Sequence, residues 1–94
     1  MQEFEKYMQE IAVILKRYQI RHASLFGSFS KGTQTEHSDI DMLIEPGSNF
    51  TLFDMINLEE ELNLLTNRKI DLVEFSAIKP SIKNEVLESA ILIL

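Results

Sequence analysis

The chain has 94 residues, 45% of them apolar and 26% charged, with a formal net charge of −6 and no cysteine. A chain of this size forms one domain that buries about 60–65% of its unfolded surface, and its apolar fraction suffices for a core and argues against disorder. No basic stripe draws it to a nucleic-acid backbone, no thiolate is available for a disulfide or metal site, and no apolar run approaches the ~20 residues of a membrane span, so any metal must take oxygen ligands and a cytoplasmic location is expected.

The start, Met1-Gln2-Glu3-Phe4-Glu5-Lys6, lacks the basic n-region and apolar stretch of a signal peptide. From Phe4 to Tyr18 the apolar residues Phe4, Tyr7, Met8, Ile11, Ile14, Leu15 and Tyr18 recur at helical spacing, and Lys16 and Arg17 come late, where the helix dipole favours cations. An amphipathic helix packed on a core is predicted. Ile20 to Phe26 is a short first strand, with Ala23, Leu25 and Gly27 on one face. Ser28 to Lys31 is predicted to form one helical turn closed by Gly32, followed by a solvated polar loop to Ser38.

Asp39 to Glu45 alternates, with Asp39, Asp41 and Leu43 on one face and Ile40, Met42 and Ile44 on the core side. Pro46-Gly47-Ser48-Asn49 ends this strand as a turn. Thr51 with Asp54 three residues on is a weaker variant of the capping box, and Leu52, Met55, Leu58, Leu62 and Leu65, supplemented by Phe53, Ile56 and Leu64, continue as a second long helix that Asn67 closes. Arg68 to Phe75 is a third strand, with Lys69, Asp71 and Val73 opposite Ile70 and Leu72. Pro80 suits the first position of a last helix. The ending Ala90-Ile91-Leu92-Ile93-Leu94 is compatible with helix or strand, and either docks on its own domain or lies at an interface.

Two features carry chemistry. Gly27 allows close approach of a phosphate to the backbone, and Ser28 offers a hydroxyl and an N–H at the start of a helical turn, although Gly-Ser after a strand also serves as a plain turn. Ten residues separate Gly27-Ser28 from Asp39, and Asp39 and Asp41, at i and i+2 of a strand, project to one side about 6–7 Å apart, close enough to share hard cations. Asp71 supplies a third carboxylate if its strand lies beside that of Asp39 on the same face, and is otherwise an ordinary strand-end acid. His22, His37 and the pair Arg68-Lys69 read as solvated, with nucleotide or partner contact as the alternative for His37 and Arg68-Lys69.

The arrangement GSFSKG, then SDIDMLI, a Leu-rich helix and KIDLVE resembles the minimal nucleotidyltransferase (MNT) family of the DNA polymerase beta-like superfamily, over essentially the whole chain. The resemblance implies an α+β fold, a small mixed β-sheet packed by helices in the order α-β-α-β-α-β-α, as a single domain over residues 1–94. It further implies ATP as substrate with two Mg2+ ions. Gly27 and Ser28 would hold the β- and γ-phosphates, with Lys31 and Ser38 also at the nucleotide; Asp39 and Asp41 would ligate both metals. Asp71 would bind the catalytic metal and help to deprotonate the attacking hydroxyl. Where many relatives carry arginine in the Gly-Ser loop, this chain has Phe29 and Lys31.

Many such proteins are antitoxins of HEPN-domain toxins, with a toxin tyrosine as the AMP acceptor, so the expected partner is a cognate HEPN toxin in a homo- or hetero-oligomer. Two other readings remain: a non-catalytic module that neutralises its partner by occlusion, and a small-molecule (aminoglycoside-like) nucleotidyltransferase. The latter lacks a second domain to enclose its acceptor.

Overall fold

In the computed structural model the described residues are 2–27, 35 and 39–94, with side chains from residue 5 onward in the first helix. That helix, α1 (Gln2–Arg17), buries Ile11 and Leu15 completely, packs Tyr7, Met8 and Ile14 beside them, and leaves Val13 to solvent. Its cationic last turn, Lys16 and Arg17, matches the dipole. The chain reverses through Gln19 at φ 62, a left-handed conformation that the sequence did not announce because glycine normally supplies it.

Strand β1 (Ile20–Phe26) pairs antiparallel with β2 (Ile40–Pro46), and β2 pairs parallel with β3 (Ile70–Glu74). A parallel neighbour requires a crossover, and α2 (Leu52–Thr66) provides it. The capping box at its start is complete: Thr51 Oγ1 accepts from Asp54 N at 3.2 Å and Asp54 Oδ2 accepts from Thr51 N at 2.9 Å. Aspartate thus serves in the place usually held by glutamate. Asn67, at φ 55, ends the helix as expected.

The sheet order is β3-β2-β1-β4. Its core face, Ala23 and Leu25 of β1, Ile40, Met42 and Ile44 of β2 and Ile70 of β3, packs against Ile11 and Leu15 of α1 and Leu58 and Leu62 of α2. A register shift between Ile20 and His22 lets Ile20 join that face as well. Leu52, expected on the buried stripe of α2, is instead 74% exposed.

After a short 3-10 turn (Phe75–Ala77), α3 (Pro80–Ser89) begins with Pro80 in its first turn. The apolar ending then resolves as a strand rather than a longer helix. β4 (Ile91–Leu92) pairs antiparallel with β1, and Ile93 N and Ala23 O are 2.8 Å apart beyond it. The β-branched Ile91 and Ile93 suit extended backbone, and this tail covers the β1 edge while Ile91, Ile93 and Leu94 pack on the core. The helical order therefore ends in a strand, and the helical turn expected after Ser28 lies outside the described residues.

Candidate active site

The alternation that sends Ile40, Met42 and Ile70 into the core sends Asp41 and Asp71 to the opposite face of the sheet. Register decides whether they meet. Ile40 N donates to Lys69 O at 2.9 Å, and from there the parallel ladder runs Ile40 beside Ile70, Asp41 beside Asp71 and Met42 beside Leu72. Adjacent strands lie about 4.8 Å apart, so Asp41 and Asp71 are neighbours on one face, and Asp71 takes the place that a third site carboxylate needs. Asp39 precedes β2 by one residue and is exposed, as is Asp71, whereas Asp41 is half-buried. On its other side Asp41 pairs with Phe26, the last residue of β1, next to Gly27.

Burial pushes the Asp41 carboxyl above its ordinary pKa, and the charges of Asp71 and then Asp39 push it the same way. Three hard carboxylate oxygen donors under mutual repulsion fit a magnesium-type cation by chemistry and charge. In the present side-chain arrangement, no group of three acid, histidine or cysteine residues among the described residues is set to hold a metal ion.

Gly27 has φ +72, and a Cβ built on it would stand 2.5 Å from Asp41 Oδ2 and 3.3 Å from its Cγ. Absence of a side chain at position 27 therefore makes room for the Asp41 carboxylate. Of the other expected site residues, Ser28, Lys31 and Ser38, with His37, lie outside the described residues. His22 is exposed and pairs in register with Glu45 at the far end of the same strands. Farther along the Asp41 face of β2, Leu43 with Ser24, Phe75 and Leu87 lines a largely apolar cavity.

Two residues near the site carried no signal of a role in the sequence or only an ambiguous one. Arg68 Nη1 donates to the Thr35 carbonyl at 2.9 Å, bridging the start of β3 to the stretch before Asp39. Asn63 Oδ1 accepts from Ile70 N at 2.7 Å, one residue before Asp71. Both contacts span residues that only the folded chain brings together.

A strand followed by glycine, one carboxylate just before the next strand and one within it, and a third brought alongside in parallel register make a recognisable set, and residues 9–94 match the polymerase beta nucleotidyltransferase family. The chain belongs to that family. This nucleotidyltransferase is 34% identical over 86 residues to a Methanocaldococcus jannaschii protein named as a candidate protein adenylyltransferase, covering 92% of each chain. It is also 34% identical over 76 residues to the protein adenylyltransferase MntA of Thermococcus cleftensis, covering 81% of this chain and 77% of that one.

Among solved structures, a candidate minimal nucleotidyltransferase superposes with a TM-score of 0.85 at 26% identity, over 94% of this chain and 90% of that one. A toxin-antitoxin crystal structure with AMP-PNP gives 0.79 at 22% identity, over 93% and 72%. A tri-AMPylated HEPN toxin of Shewanella oneidensis in complex with its MNT antitoxin gives 0.72 at 17% identity, over 96% and 71%. The last two likenesses establish the fold of this nucleotidyltransferase. Among its described residues, no helix is long and apolar enough to cross a membrane.

Proposed function

We propose that the chain, as one minimal nucleotidyltransferase domain over residues 1–94, transfers AMP from ATP to a tyrosine hydroxyl of a cognate HEPN-domain toxin and so acts as its antitoxin in the cytoplasm. The observation that carries this reading is the register that sets Asp71 beside Asp41, with Asp39 and Asp71 exposed at the same end of the sheet. An exposed carboxylate group suits an acceptor presented by another protein, and the names of the curated relatives support the same reaction.

Asp39 and Asp41 would hold two Mg2+ ions, with Asp71 on the catalytic one; when bound, the ions offset triphosphate charge and stabilise charge developing at the α-phosphorus. Gly27 and Ser28 would hold the β- and γ-phosphates, with Lys31 and Ser38 also at the nucleotide. Asp71 accepts the proton of the tyrosine hydroxyl. The phenolic oxygen then bonds to the α-phosphorus, the bond from that phosphorus to the bridging oxygen breaks, and pyrophosphate leaves.

The test is transfer of labelled AMP from ATP to the proposed cognate HEPN-domain toxin, with and without Mg2+. The wild type is expected to label the toxin, and Asp39→Asn with Asp41→Asn to form the complex without labelling it. Full neutralisation of the toxin by that double variant would instead establish occlusion. Label on a residue other than tyrosine would refute the tyrosine assignment.

A further inference from the structure

We propose that Asn63 is a positioning residue for Asp71, and through Asp71 for nucleotidyl transfer; the inference rests on the reading of the site given above. β3 is an edge strand, bonded to β2 on one side only, so the backbone groups on its outer side need partners from elsewhere. Ile70 opens the strand with its side chain fully buried, and its N–H turns away from β2 toward the last turns of α2. There Asn63 Oδ1 accepts it at 2.7 Å, while the backbone carbonyl of Asn63 accepts from Asn67 N at 2.8 Å. One residue thus holds both ends of the turn between α2 and β3.

Two further bonds tighten that turn. The buried Thr66 donates its hydroxyl to Leu62 O at 2.8 Å and accepts from Arg68 N at 3.3 Å. The bond from Ile40 N to Lys69 O ties the turn to β2 just after Asp39. The side chain that follows Ile70 is Asp71, whose placement on the sheet face follows from where β3 starts. Asparagine is a poor helix former whose amide competes with the helix backbone, so an inward-reaching asparagine in the last turn of α2 gains from its long-range partner what it loses in propensity.

The test compares full-length wild type with Asn63→Ala and with Asn63→Asp, which keeps an oxygen at the Oδ1 position. Four readouts are used: amide hydrogen exchange at Ile70, Mn2+ binding by water-proton relaxation, AMP transfer, and thermal stability. Thr51→Ala, which removes the distant cap of α2, serves as the variant destabilised without disturbing the site. In Asn63→Ala, Ile70 exchange is expected to quicken about 10-fold. Mn2+ binding and turnover at saturating ATP are expected to fall ~10–100-fold, as for lost outer supports of metal sites, with the KM for ATP within ~3-fold.

Asn63→Asp is expected to restore each readout to within ~3-fold of wild type. If the alanine chain does not fold, Asn63→Ser is the milder variant, with an expected turnover loss of about 10-fold. Wild-type Mn2+ binding and turnover in folded Asn63→Ala, or equal losses in Asn63→Asp and Thr51→Ala, overturn the proposal. Asp71→Asn separates the two layers. If it is inactive while Asn63→Ala is unimpaired, only the positioning role falls; if it transfers AMP like wild type, the catalytic reading falls first and the transfer step of this inference with it.

Discussion

A Cβ on Gly27 would stand 2.5 Å from Asp41 Oδ2, so the glycine that follows β1 and the carboxylate on β2 share one space. Alanine at 27 is strained at φ +72 by about 1 kcal/mol and must also displace the carboxylate. Gly27→Ala is expected to lower nucleotide transfer by ~100-fold or more, as misplacement of a reacting group by about 1 Å does, and to lower Tm by several degrees. Transfer kinetics and a melting curve on the same preparation check both outcomes.

The Asp41 carboxyl is held above its ordinary pKa by burial, by Asp71 and by Asp39. Its contribution to stability is therefore fully present below the unfolded aspartate pKa of about 3.9 and is lost as pH rises through the raised folded value. Without divalent cations, Asp41→Asn is expected to melt ~2–5 °C above wild type at pH 7, and this advantage should vanish below about pH 4. Mg2+ is expected to raise the Tm of the wild type and to do little for the variant. Differential scanning fluorimetry across pH, with Mg2+ or EDTA, measures it.

Asp71→Asn removes the proton acceptor proposed for the transfer step and keeps the shape of the side chain. Turnover should fall by about 10²–10⁴-fold, the range for loss of a general base. Binding of ATP, held mainly by Gly27 and Ser28 in this reading, should stay within several-fold of wild type. Pre-steady-state transfer together with equilibrium nucleotide binding separates the two effects.

Glu61 joins α1 and α2: its carboxylate accepts a hydrogen bond from the Tyr18 hydroxyl and another from Arg17 Nη2 at 3.1 Å. These partners, Tyr18 first, hold Glu61 below its ordinary pKa despite partial burial. The stabilisation is present above the unfolded glutamate pKa of about 4.3 and is lost as pH falls through the lowered folded value. Because the contacts are largely exposed, Glu61→Gln should cost only ~0.5 kcal/mol near neutral pH and less in acid. Urea denaturation at two pH values reads the difference.

Much of the fold was legible in local pattern. The helical stripe through Ile11 and Leu15, the alternation of Ile40, Met42 and Ile44 against Asp41, and the Thr51 and Asn67 caps all appear where periodicity and cap chemistry put them. The ending was not legible, because five consecutive apolar residues carry no period and only the free edge of β1 makes a strand of Ile91–Leu92. Leu52 misled for a related reason: helical spacing reports a face, and does not tell which residues of that face the core covers.

The sequence by itself determined which residues could do the chemistry: Gly27 at the end of a strand, Asp39 and Asp41 two apart on the next, and Asp71 on a third. It did so because side-chain alternation and turn chemistry are properties of a few neighbouring residues. Only the tertiary structure decided that Asp71 stands beside Asp41, that the space above Gly27 belongs to the Asp41 carboxylate, and that Asn63 anchors the start of β3. Those are relations between strands and helices distant in the chain. They are fixed by burial of Ile40, Ile70, Leu58 and Leu62 in one core, since a one-residue slip of β3 would turn Ile70 to solvent and Asp71 inward.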